Sequence, residues 1–338
     1  MPDLTPSSVD VVTIGAHLVD VHVWPVDTIA PGQSSALVDM IKLSAAGAAA
    51  GTAVDLARLG MSVLSLGCIG TDAVGDLLLG LLEASGVDCT RLLRRPGAPT
   101  SASVLPIRSN GERPALHVRG ANELLVADDI DQALVLRAPF LHLGGPDEMT
   151  GLDPARIGAL VGKARRAGVV VTADLLRGPA IEYRDAAAVA LRDVSYFLPN
   201  HDQLFSLTQC SRIADAVDDV RGLGIAATLI VTLGAAGCLI VPPSGDWVHV
   251  PAYQVDVVDT TGCGDAFCAG LITGLREGRT LVEAAMLGNR AAGLVATGLG
   301  SDAGIVDRSS LDDGRWDDPV AGPISPPEVD GLLAPVTA

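Results

Sequence analysis

Short runs of β-branched and other apolar residues alternate with longer stretches of helical periodicity along most of this chain. Val9–Ile14, Ser62–Leu66, Phe140–Leu143, Val169–Ala173, Ser195–Leu198, Ala227–Leu233 and Cys238–Val241 read as buried strands. The stretches 47–59, 74–85, 154–167, 181–192, 265–277 and 280–297 carry helical spacing. That alternation predicts a mostly parallel sheet with helices on both faces. Two segments break it. Residues 20–44 hold two extended stretches around Pro25, Pro31 and Gly32, and the runs 101–107 and 115–118 flank Asn110-Gly111, a hairpin signal. These insertions predict a small lid-like sheet from about 16–45 and 100–120. From Ser309 the chain is rich in Asp, Pro and Gly, so 309–338 is expected to be a poorly ordered tail.

A length of 338 residues with 49% hydrophobic content is enough for one large core, and aromatics at 3% make that core aliphatic. The formal charge of −17, with no block of basic residues to offset it, argues against nucleic-acid and anionic-lipid partners. Lys42 and Lys163 are the only lysines, so phosphate handling would fall to arginine, backbone amides or metal. The six cysteines form no C-x-x-C pair and suit no zinc site, which is expected of reduced thiols in a cytosolic, cytoplasmic protein. The N-terminus lacks a signal-peptide pattern, and no apolar run reaches the ~18 residues of a membrane span.

One run combines glycines, hydroxyls and carboxylates: Asp259-Thr260-Thr261-Gly262-Cys263-Gly264-Asp265, between an apolar segment and a helical one. A helix N-terminus suits an anion, because free N–H groups and the positive dipole end converge there. Gly262 and Gly264 would let amides approach a ligand without Cβ obstruction. Asp265 then has two readings. It is an N-cap after a glycine turn, or a base that takes a proton from a hydroxyl while amides hold a phosphate. Other nucleotide and hydrolase motifs are missing. Gly158-x-x-x-Gly162-Lys163 has the wrong spacing for a Walker A loop, Gly15 stands alone after the first strand, and no G-x-S-x-G or H-x-x-x-H is present.

The segment D-T-T-G-C-G-D-A-F-C-A-G resembles the C-terminal signature of the PfkB/ribokinase family of carbohydrate kinases, with Cys263 where Ala or Gly is usual. The resemblance covers roughly residues 9–308. It implies a ribokinase-like three-layer α/β/α fold with a small β lid. Residues 46–60 resemble the family's N-terminal G-G-x-x-x-N signature, with Gly47 matched, Ala46 for the first Gly, and Gly51 for the sugar-contacting Asn. Asp20, five residues after Gly15, matches the family's sugar-binding Asp, and Gly120-Ala121-Asn122 its G-A-N. Asn200-His201-Asp202-Gln203 stands where the family has N-x-x-E, a Glu that organises magnesium through water. Thr232-Leu233-Gly234-Ala235-Ala236-Gly237 resembles its nucleotide loop, and Asn289 an Asn beside the adenine. Carbonyls at Val295, Gly298 and Gly300, with Asp259 and Thr261, match positions that hold a monovalent cation, K+.

The resemblance thus implies ATP and Mg2+ as cofactors and phosphoryl transfer to a hydroxyl of a small carbohydrate. Asp265 would be the general base, with the amides of Gly262, Cys263 and Gly264 around the transferring group. Asp20, Gly47, Gly51 and Asn122 fall on the substrate side. Asn200, Thr232, Gly234, Gly237 and Asn289 fall on the nucleotide side. Gln203 keeps a hydrogen-bonding carbonyl without the Glu charge. Arg113 is a candidate lid residue near the phosphates. Two alternatives stay open: a nucleoside kinase of the same family, with Trp24 or Phe140 beside a base, and a low-activity sugar- or nucleotide-binding homologue. A homodimer through the lid is expected.

Overall fold

Val11–Gly15 (β1) is wholly buried, and its alternate side chains feed two different cores: Val12 and Ile14 enter one, Val11 the other. A strand buried on both faces belongs at the centre of a covered parallel sheet. The structure, a computed structural model, describes residues 9–109, 112–176, 183–305, 307–312, 314 and 316–333.

The remaining strands are Leu18–Trp24 (β2), Met40–Ala46 (β3), Val63–Ile69 (β4), Asp88–Arg94 (β5), Ala102–Pro106 (β6), Leu116–Val118 (β7), Phe140–Gly144 (β8), Val170–Ala173 (β9), Tyr196–Phe197 (β10), Thr228–Thr232 (β11), Cys238–Val241 (β12), Trp247–Val250 (β13) and Gly322–Ile324 (β14). The helices are Ala48–Arg58 (α1), Ala73–Ala84 (α2), Gln132–Val135 (α3), Pro154–Arg166 (α4), Arg184–Ala190 (α5), His201–Thr208 (α6), Ile213–Gly222 (α7), Cys263–Arg276 (α8), Leu281–Ala296 (α9) and Pro326–Leu332 (α10).

Ten strands form the main sheet in the order β14-β13-β12-β11-β10-β9-β8-β1-β4-β5. The seven from β11 to β5 run parallel, and β12, β13 and β14 add antiparallel pairs at one edge. Residues of α4, α6 and α7 pack one face through Ile157, Leu204 and Ala216, while α1, α2, α8 and α9 cover the other through Leu56, Leu78, Ala269 and Leu294. This is the three-layer α/β/α arrangement expected from the alternation. The strand order reverses around β1, the kind of switch point where ligands of open α/β sheets bind. There α1 comes very close: a Cβ on Gly144 would lie 2.2 Å from the Ala49 nitrogen, and one on Gly47 2.5 Å from the Ala16 oxygen.

The lid is a separate four-stranded sheet, β3-β2-β6-β7. Its register sorts the side chains by period two. Ser44, Asp20, Ser103 and His117 line up in one cross-strand row, and Leu43, Val21, Val104 and Leu116 in the next. Asp20, Ser103 and His117 of the polar row line the cavity described below and Ser44 is buried against His22, whereas Leu43, Val104 and Leu116 are exposed. The strands flanking Asn110-Gly111 pair antiparallel as the hairpin signal predicts; the two turn residues lie outside the described residues.

Three features differ from the sequence reading. β5, α6 and α7 were not read from the sequence: β5 is half-polar and α6 is short, whereas α7 carries a clear i, i+3, i+4, i+7 stripe of Ile213, Ala216, Val217 and Val220 that was passed over. Part of the helix expected at 181–192 falls outside the described residues. The segment from Ser309, expected as a poorly ordered tail, carries β14, paired to β13, and α10, whose Val329 is fully buried. A few apolar residues spaced among the Asp, Pro and Gly suffice to dock it. The proline at the start of α10 is compatible with a first helical turn, where no N–H is needed.

Candidate active site

Gly262 begins α8 with φ of 81°, and a Cβ there would fall 2.5 Å from the Ser301 Cα, so both conformation and space require glycine. Among the described residues no side chain caps this helix start. The Ala266 amide donates to the Gly262 carbonyl at 2.9 Å, and the Cys263 amide makes a long 3.3 Å bond to the Thr260 carbonyl. Among the described residues the Gly264 and Asp265 amides have no such partner, and a Cβ on Gly264 would meet nothing within 4 Å. Free donors at a positive dipole end, open to a cavity, form an anion site.

The half-buried Asp265 carboxylate rises from this turn toward α1. Gly51 makes the space for it, since a Cβ at 51 would sit 2.3 Å from Oδ2. Burial, and then the charge of Asp20, push the Asp265 carboxyl up to about 7 against the pull of Arg113. Asp20 hangs from the lid over the same space. Burial raises it to about 6, opposed by its Ser103 hydrogen bond and by Arg113.

A cavity of about 640 Å³ joins these groups. Of the residues expected from the sequence, Asp20, Gly47, Asn200, Gln203, Thr232, Gly234, Thr261, Gly262, Cys263, Gly264 and Asp265 line it, as does Arg113. A second cavity of about 270 Å³ shares Thr232, Gly234, Cys263 and Gly264 with the first and adds Gly237 and Asn289. It is mostly apolar, lined by Ala252, Val255 and Ala292 among others.

Several expected residues sit elsewhere or are already engaged. Asn122 lines neither cavity; its side-chain oxygen accepts the His17 amide at 3.0 Å. Trp24 and Phe140 also line neither. Asn289 spends its amide group on the Val250 and Pro251 carbonyls. Gln203 and Asn200 cap α6 reciprocally, and the Gln203 Nε2 donates to the Leu175 carbonyl at 2.6 Å. The carbonyl that the sequence offered for a magnesium network is therefore committed to a cap. Asp259 accepts from the Thr261 amide and hydroxyl through Oδ1 and from the Gly300 amide through Oδ2, which ties the two loops of the expected cation set together.

Asp174 was missed. It follows β9 directly, lines the larger cavity, and accepts the Gly145 amide at 3.0 Å. Burial, then the charge of Asp265, hold its carboxyl well above the usual range. Its signal was a lone carboxylate at the carboxyl end of an apolar strand. Ser103 and His117 were missed because only the lid register brings them to the cavity.

An uncapped helix start, a carboxyl with raised affinity for protons and two confluent cavities beside a β lid are the features an α/β protein that handles phosphate would need. The family model described as "pfkB family carbohydrate kinase" matches residues 9–308. An ATP-dependent ribose-1-phosphate kinase of Halopiger xanaduensis is 31% identical over 277 residues, covering 81% of this chain and 87% of that protein. A bifunctional protein HldE of Magnetococcus marinus is 29% identical over 87% of this chain, which spans only 61% of that relative. A solved E. coli structure, a putative ribokinase II in complex with ATP and Mg2+, superposes with a TM-score of 0.76 at 23% identity, over 90% of this chain and 98% of that one. This chain belongs to the pfkB family of carbohydrate kinases. No helix among the described residues is long and apolar enough to cross a membrane.

Proposed function

We propose that the protein transfers the γ-phosphoryl group of ATP to a hydroxyl of a small carbohydrate, with Asp265 as the general base. The observation that carries this reading is the Asp265 carboxylate in the first turn of an uncapped helix, lining the same cavity as Asp20. A base whose proton affinity lies near working pH combines a useful ionised fraction with driving force. Asp20 would accept acceptor hydroxyls and orient one toward Asp265. The Gly264 amide, with its neighbours on the turn, would stabilise charge on the phosphoryl group. The apolar second cavity suits a nucleotide base, with the phosphates running past Thr232 and Gly234 toward α8. Magnesium, when bound with the nucleotide, would offset phosphate charge; Asp174 and Asp202 are carboxylates on the cavity wall suited to it.

A sugar is favoured over a nucleoside as acceptor, because the wall beside Asp20 is a polar row of Ser103 and His117 suited to hydroxyls, and neither Trp24 nor Phe140 reaches it. ADP release measured against a panel of sugars, sugar phosphates and nucleosides tests this. Turnover confined to nucleosides would contradict the acceptor, and ATP binding without turnover on any acceptor would contradict catalysis.

The lid supports a homodimer. Its outer row, with Leu43, Val104 and Leu116 exposed, continues with Ile41 and Val118 into an uncovered apolar face. A second copy covering that face would bury it. Sedimentation giving the monomer mass of 34.5 kDa would contradict this.

A further inference from the structure

His142 of β8, Asp174 just past β9 and Cys268 in the second turn of α8 are all buried and meet in one place. Asp174 Oδ1 lies 3.9 Å from His142 Nε2, and Oδ2 lies 4.0 Å from Cys268 Sγ. One donor atom from each residue lies within 4.8 Å of the others. His142 is fully buried, and among the described residues its Nε2 has no hydrogen-bond partner. Its Nδ1 meets Thr172 Oγ1 at 2.9 Å, and that hydroxyl reaches the Leu141 carbonyl at 3.4 Å. A hydroxyl that donates to the carbonyl accepts from Nδ1–H, which leaves a lone pair on Nε2 beside the carboxylate. Burial lowers the imidazole to about 4 against the pull of the Ala48 carbonyl, so the ring is neutral, the form that ligates metal. The Gly145 amide, 3.0 Å from Asp174 Oδ1, fixes the carboxylate between its two neighbours.

We propose that His142, Asp174 and Cys268 bind one Zn2+ ion, at a site separate from the magnesium of a nucleotide. Zinc takes imidazole nitrogen, thiolate sulfur and carboxylate oxygen at about 2.0–2.3 Å, which sets tetrahedral ligand atoms about 3.3–3.6 Å apart. The separations of 3.9 and 4.0 Å would close by roughly half an ångström on binding. A thiolate and an imidazole select zinc over magnesium and calcium, which prefer oxygen ligands. Of the three residues Asp174 lines the larger cavity, so the ion would enter there and keep its fourth position for water. Coordination releases the thiol proton, and any proton on Asp174, to solvent. The bound ion would join β8, β9 and α8 one turn past Asp265. The cysteine spacings gave no sign of a zinc site, because only the packing of α8 on the sheet brings Cys268 to a histidine and a carboxylate.

The test uses the full chain without nucleotide or acceptor, stripped with a chelator and held in metal-free buffer with a non-thiol reductant. It is titrated with Co2+ and then with Zn2+, and melted with and without Zn2+. Wild type is expected to take up one equivalent of Co2+ with the near-ultraviolet band of a thiolate–cobalt bond. It should lose that band to one equivalent of Zn2+ and gain Tm from Zn2+. Cys268→Ser is expected to lose the band and to bind Zn2+ at least about tenfold more weakly, whereas Cys89→Ser keeps both. A wild type with no saturable band would overturn the proposal. So would a band that survives in Cys268→Ser, which would put the metal on another thiol. If Cys268→Ser fails to fold, His142→Gln replaces it, and unchanged Zn2+ affinity there would overturn the proposal; if neither folds, the wild-type titration decides alone. Zinc binding does not rest on the phosphotransfer reading, so a chain with no kinase turnover leaves the result readable.

Discussion

Gly51 and Asp265 occupy one space: the position a Cβ on residue 51 would take is 2.3 Å from Asp265 Oδ2 and 2.9 Å from its Cγ. The family signature that the chain resembles has Asn here, and in this chain the Asp265 carboxylate leans against the bare Gly51 backbone instead. Gly51→Ala would gain about 0.5–1 kcal/mol of helix propensity but force the carboxylate aside. A displacement near 1 Å can cost ~10²-fold in rate. We predict kcat reduced at least about tenfold with Tm little changed, read by steady-state kinetics and melting. Wild-type kcat would show that the contact does not position the base.

Arg113 lowers the proton affinity of both Asp20 and Asp265. Its removal should therefore raise both. In the proposed mechanism Asp265 acts as the base when ionised, so activity should rise with pH through its titration near 7. Arg113→Met should move that ascending limb to higher pH. A kcat/KM profile with an unmoved limb would separate Arg113 from the carboxylates.

Asp265 also bears on stability. Its carboxyl rises from 3.8 to about 7 on folding. Below 3.8 it is neutral in both states. Between there and 7 the unfolded chain ionises while the folded one stays protonated, so this group's contribution falls as pH rises and is most unfavourable above 7. Asp265→Asn should raise Tm, and by more at about pH 8 than at about pH 5. An equal gain at both would mean the carboxyl titrates normally.

Gln203 donates to the Leu175 carbonyl at 2.6 Å. A glutamate, which the family pattern favours, would keep the acceptor for the Asn200 amide but set an oxygen against that carbonyl. Gln203→Glu should destabilise the protein by about 1–3 kcal/mol, seen as a lower midpoint in urea. An unchanged midpoint would show that the Leu175 bond contributes nothing.

Much of this arrangement was legible before the coordinates. β1, β4, β8 and β9 are buried on both faces, and continuous apolar runs announce such strands. Asp265 was marked by its glycines and Asp20 by its distance from β1. The rest depends on tertiary pairing. Nothing local tells Lys42 that the Leu299 carbonyl, more than 250 residues later, will receive it. The lid period assigns it to a face but not to a partner. Gln203 was read as a ligand-side carbonyl because its capping bond competes silently with that role. The docking of Val329 was hidden by the polar composition around it.

The central claim is that Asp265 takes the proton from the acceptor hydroxyl. The most direct test is Asp265→Asn, with kcat and ATP binding measured on the same preparation once an acceptor is in hand. A carboxylate base contributes about 10²–10⁴ in rate, so the account predicts at least about a hundredfold loss of kcat with ATP affinity nearly intact. A kcat within a few-fold of wild type would contradict it.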